Sequence, residues 1–148
     1  MLGAATAALA MADATPPPLT VGLTWVHDLR LDATAKTFTF PVDGDSEEGP
    51  SPTQLLAVSL AACMALDIVD IVRKGRHPLT SFSCTLAGER WPTPPRRFTA
   101  FTLHCRIGGA VPEAAVVRAA ELSKEKYCSV WHSLREDITL TTTFDIQP

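Results

Sequence analysis

Cysteine is scarce in this chain and none of it is closely paired. Four cysteines stand in 148 residues, at positions 63, 84, 105 and 128, and no two form a CxxC pair. That excludes a disulfide-stapled scaffold, a zinc ribbon and a thioredoxin-type motif. His27, His104 and His132 show no ligand spacing with the cysteines either, so no metal site is expected. Positive charge is equally thin. The net charge is −3 and no basic stripe runs along the chain, which argues against nucleic acid as a partner. The one dense basic group, Arg73, Lys74 and Arg76, falls where a helix should end and complements its dipole. Long apolar runs are lacking too. The charge-free stretch 55–66 is too short to cross a bilayer and is closed by Asp67 and Asp70, which predicts a core helix and no membrane role. Residues 1–18 contain no Lys or Arg, so the basic region that opens a secretory signal is missing. They are expected to be a disordered tail on a cytoplasmic protein whose single domain spans 19–148.

What is present is ordinary globular composition, 46% hydrophobic and 20% charged, enough to bury a core. Leu19 to Val26 and Lys36 to Val42 read as a strand pair. The segment 43–50 (DGDSEEGP) reads as a loop. Ser51-Pro52 is a helix start, and Gly75 a stop after Lys74. This helix is apolar nearly all round and should be enclosed on most sides. Two alternating strands follow, with Phe82, Cys84 and Leu86 on one face of the first. In the second, Phe101, Leu103, Cys105 and Ile107 share a face, and WPTPP (91–95) connects the two. Pro112-Glu113 opens a second helix whose stripe is Val116, Ala119, Ala120, Ser123 and Tyr127. Ser129 begins a short further helix, and Ile138 to Ile146 alternate as a last strand. The order β-β-α-β-β-α-(α)-β predicts an α+β fold with antiparallel sheets packed on a long buried central helix. One modest sheet cannot cover a helix apolar on all sides, which predicts a homodimer with a large apolar interface.

Two cysteines occupy unlike settings. Cys63 lies within the apolar helix, and Cys128 follows the second helix in the string KYCSV. A pair of thiols on separate elements suits disulfide chemistry, in which one sulfur attacks and the other resolves. The start of a short helix after Cys128 should lower its pKa. Cys84 and Cys105 are explained by strand alternation alone.

The string Ser51-Pro52-Thr53-Gln54-Leu55-Leu56, followed by Ala62-Cys63, resembles the motif that opens the central helix of the OsmC/Ohr family. Glu125 to Val130 is similar to the second-cysteine motif of one OsmC-like subgroup, and the resemblance covers residues 20–147. It implies an intertwined homodimer of α+β subunits with active sites at the interface. It further implies a thiol peroxidase acting on organic hydroperoxides, regenerated by a cellular dithiol and needing no metal or organic cofactor. By position, Cys63 is then the peroxidatic thiol and Cys128 the resolving one. The family's glutamate, which anchors an activating arginine, falls on Thr53 here. Arg30 is the arginine of the first strands, and Glu47 or Glu48 in the loop is a substitute anchor. Asp67 stands at i+4 from Cys63, where an ionised carboxylate would weaken the nucleophile. Thr53, Asp67, Tyr127 and Trp131 are the expected pocket residues. The second reading is a non-catalytic dimer that binds a small apolar ligand or senses redox state; Thr53 and Asp67 favour it.

Overall fold

The computed structural model describes residues 15–148, so most of the expected N-terminal tail lies outside the described residues. The chain divides at Ser51 into two compact units.

The first unit is a three-stranded antiparallel sheet in the order β1-β2-β3, formed by Gly22–His27, Arg30–Ala35 and Phe38–Asp43. The sequence predicts a strand pair here, and the segment between the two, RLDATA, is a third strand. Its alternation of Leu31 and Ala33 with Asp32 and Thr34 is that of a strand, and both connections are two-residue turns. Those turns carry positive φ at Asp28 (40°) and Lys36 (55°), without the Asn-Gly or Asp-Gly signature that marks such turns in sequence. Pro41 is accommodated because β3 is an edge strand. The loop after β3 is organised by the buried Asp43, whose carboxylate accepts the backbone N–H groups of Asp45, Glu47 and Glu48 at 3.0, 3.2 and 3.0 Å. These bonds, that from Glu48 foremost, hold the Asp43 carboxyl below its usual range.

The second unit begins with α1, Pro52–Lys74, the expected long helix. The chain leaves it through Arg76, which adopts φ 60°, one residue beyond the glycine expected to stop it. β4 (Ser81–Arg90) and β5 (Phe98–Gly108) form the expected antiparallel hairpin. α2 (Glu113–Leu122), a π-helical turn (Ser123–Tyr127) and α3 (Ser129–His132) then carry the chain across, and β6 (Thr139–Gln147) joins β5. β6 runs parallel to β5, so this sheet is mixed, where a wholly antiparallel one was expected. A helical crossover is what a parallel neighbour requires.

The core gathers Leu60, Met64, Ile68 and Val72 of α1 with Phe101, Leu103 and Ile107 of β5 and Val116 and Ala119 of α2. α1 therefore buries one stripe at i, i+4 spacing. Val58, Ala62 and Leu66, on the opposite side of the helix, remain exposed, so a single chain does not enclose α1 on most sides. With 23 residues it is also long and apolar enough to cross a membrane by length and composition, which the stretch 55–66 alone did not suggest. Ile68, Val69, Ile71 and Val72 extend the apolar character past Asp67, and the stripe's place in the core identifies a core helix.

Candidate active site

Cys63 and Asp67 sit one turn apart on α1, and Cys128 begins α3. Their ligand atoms, two sulfurs and a carboxylate oxygen, all lie within 4.8 Å of one another. The cysteines are unequal. Cys63 is half-buried, whereas Cys128 has no exposed surface. All four cysteines are free thiols.

The π-helical turn brings Cys128 to this point. Its backbone N–H donates to the Ser123 carbonyl at 2.8 Å, an i to i−5 bond. The wider turn inserts one residue relative to an α-helix. Ser123 stays on the buried stripe of α2, but the next inward position passes from Tyr127 to Cys128. This corrects the expectation for Tyr127, which is exposed and does not line the site. Ser123 is completely buried, and its hydroxyl donates to Asp67 Oδ2 at 2.7 Å. Sequence reading placed it among packing residues; a serine on an otherwise apolar stripe was the only signal of more. Trp131 is half-buried against the core, and its backbone N–H donates to Cys128 Sγ at 3.3 Å.

That N–H favours the thiolate, as expected of a helix start, but it does not decide the outcome. Burial pushes the Cys128 thiol up to about 12, with Cys63 and Asp67 adding to the rise. The expected lowering is therefore reversed, since a four-residue helix supplies too little field to offset complete enclosure. Cys84 and Cys105 face each other in register across the β4–β5 hairpin. Burial, with a further contribution from Cys84, raises Cys105 to about 12.

Arg30 lies in the first unit. Its guanidinium binds Glu48 Oε2 at 2.8 Å and Asp32 Oδ1 at 2.7 Å. Of the two loop glutamates it is thus Glu48 that reaches back to Arg30, while the Glu47 backbone serves Asp43. His27 joins the same cluster through Glu48 Oε1 at 3.4 Å. Thr53 lies on the exposed first turn of α1, in a groove of about 310 Å³ with Leu56, Phe98 and Ile138, to which Cys63 does not contribute. His104 lies on β5 and pairs with Thr143 Oγ1 at 2.8 Å, and His132 closes α3 in solvent.

Comparison with known proteins identifies the fold and the family. The family model for OsmC-like protein matches residues 44–143. Protein YhfA of Escherichia coli K12 is 35% identical over 125 residues, covering 82% of this chain and 93% of its own. An OsmC-like protein from Mycoplasma pneumoniae superposes with a TM-score of 0.79 at 14% identity, over 90% of this chain and all of that one. An organic hydroperoxide resistance protein OsmC from Legionella pneumophila superposes at 0.65 and 16% identity, over 89% and 99%. The last two likenesses concern the fold. A long helix carrying one thiol, a mixed sheet, a second thiol delivered by a crossover and these matches lead to one conclusion: the chain belongs to the OsmC family.

Proposed function

We propose that this protein is a two-cysteine thiol peroxidase acting on organic hydroperoxides. The carrying observation is the pairing of a half-buried sulfur, Cys63, with a fully enclosed one, Cys128, within 4.8 Å. A peroxide can reach the first and not the second. In the reaction, the Cys63 thiolate attacks the outer peroxide oxygen, the O–O bond breaks, and the alcohol leaves as Cys63 becomes a sulfenic acid. Cys128 then displaces the sulfenic hydroxyl as water, forming the disulfide. A cellular dithiol returns both sulfurs to thiols. Arg30, held by Glu48, is the proposed activating cation; the pair supplies the anchor that Thr53 lacks. The hydroperoxide resistance named for the Legionella relative agrees with this reading.

The test is treatment of the reduced protein with stoichiometric cumene hydroperoxide, followed by thiol counting and peptide mapping. Rapid loss of two thiols with a Cys63–Cys128 crosslink is expected, and peroxide turnover should vanish in Cys63→Ser. Unchanged turnover in that variant overturns the proposal. Asp67 favours a second reading, because its carboxylate adds to the rise of the Cys128 thiol and so opposes formation of that thiolate. In that reading the protein is a non-catalytic ligand binder or redox sensor. Alkylation of Cys63 only near or above about pH 8.5, the value of a free thiol, would support it.

The protein is further proposed to work as a homodimer. Val58 and Leu66 on α1, and Trp25 and Phe38 in the first unit, are large apolar side chains left in solvent by a single chain.

A further inference from the structure

The geometry points to a binding site for a thiophilic divalent cation of the zinc(II) class, formed by Cys63 Sγ, Cys128 Sγ and a carboxylate oxygen of Asp67. Three separate features carry it.

The first is placement. The three donor atoms lie within 4.8 Å of one another. In a tetrahedral zinc site, metal–sulfur bonds of about 2.3 Å and metal–oxygen bonds of about 2.0–2.2 Å put neighbouring donors roughly 3.5–3.8 Å apart. The observed triad needs to contract by no more than about 1.3 Å, which side-chain rotations can supply. Cys63 and Asp67 at i and i+4 share a helix face, the spacing by which a helix presents two ligands to one metal.

The second is the surrounding hydrogen bonding. Ser123 Oγ donates to Asp67 Oδ2, which fixes the carboxylate, and the two oxygens of a carboxylate have lone pairs enough to bind a metal beside that bond. The Trp131 N–H donates to Cys128 Sγ, the support a thiolate ligand receives from backbone in metal sites. Both donors come from the segment that carries Cys128, so one piece of chain sets the orientation of two ligands.

The third is charge. Two thiolates and a carboxylate bring three negative charges together, and among the described residues none of the ion pairs includes Asp67. A divalent cation neutralises two of the three. Two sulfur donors select against magnesium and calcium. Three protein ligands leave the fourth position for water or a small thiol, as in open zinc sites. Loading displaces one proton from each thiol, so each bound cation releases two. Because the same sulfurs make the disulfide, cation binding and oxidation exclude each other.

The experiment is titration of the reduced, chelator-treated full chain with cobalt(II) in the absence of oxygen, followed by zinc(II). A sulfur-to-cobalt charge-transfer band saturating at one equivalent is expected, with loss of the band when zinc is added. Cys63→Ser and Cys128→Ser should each weaken it sharply. Asp67→Asn should keep sulfur absorption but bind at least about tenfold more weakly, and Asp67→Glu should recover part of the loss. Absence of the charge-transfer band in the reduced wild-type chain overturns the inference, as does unchanged affinity in folded Asp67→Asn. The wild-type titration decides even where a variant fails to fold. Peroxide consumption by metal-free protein is a separate readout, so this inference and the peroxidase reading fail independently.

Discussion

Ser123, which in the sequence only interrupts an apolar stripe, has a fully buried hydroxyl that holds the Asp67 carboxylate at 2.7 Å. Ser123→Ala removes a charge-assisted donor from a partly buried acceptor and should cost about 1–3 kcal/mol, measured by urea unfolding. Conversion to Thr, which keeps the hydroxyl, should retain more stability than Ala if space permits the methyl group. Cys105 offers a pH signature. Its thiol titrates near 12 in the folded chain against an ordinary value of 9.0. Its contribution to stability is therefore complete below about pH 9 and is lost as pH rises towards 12, because the unfolded chain releases the proton first. Unfolding followed from pH 8 to 11 should show a declining stability whose slope is shallower in Cys105→Val. At this scale the sequence was partly legible. Cys63 and Cys128 could be found because a motif surrounds each, and Glu48 because it is an acid in a loop near Arg30's strand. The elevated Cys128 thiol could not be anticipated, since it depends on enclosure by neighbours distant in sequence.

Among the elements, the π-helical turn has the largest consequence for the site. It holds one residue more than an α-helical turn would need between Ser123 and Cys128. Deleting the exposed Glu125 should let α2 continue as an α-helix with the cysteine still facing inward. Inserting one alanine after Glu125 should turn the thiol away. The deletion is thus expected to preserve the peroxide-induced Cys63–Cys128 crosslink in peptide mapping, and the insertion to abolish it. A regular 3.6-residue repeat through Tyr127 was the natural reading of the sequence, because nothing in SKEKY announces a widened turn. The same kind of silence hid β2, whose flanking turns depend on Asp28 and Lys36 adopting positive φ. Strand direction was hidden differently. Alternation fixed which face of β6 is buried, with Ile138 and Leu140 inward, but alternation is identical in parallel and antiparallel strands.

For the whole molecule, the apolar character of α1 was plain in the sequence, and the structure divides it into two stripes. One lies in the core; Val58, Ala62 and Leu66 form the other, with Leu66 71% exposed. Leu66→Glu should leave the monomer's stability within about 0.5 kcal/mol, since the side chain is in solvent there. It should shift sedimentation from dimer to monomer at micromolar concentration, and a wild-type chain that sediments as a monomer would remove the basis for a dimer. The complete enclosure of Cys128 also governs how the molecule is reset after oxidation. In the proposed cycle an incoming reductant would touch only the Cys63 side of the disulfide, so the mixed disulfide would form there and Cys128 would be the departing group. A thiol held near 12 departs reluctantly as an anion, so its exit has to be coupled to arrival of a proton. The same elevated thiol is also a poor attacking group, so in the proposed cycle both the closing of the disulfide and its reopening are expected to be slow and to depend on a proton reaching or leaving the enclosed sulfur.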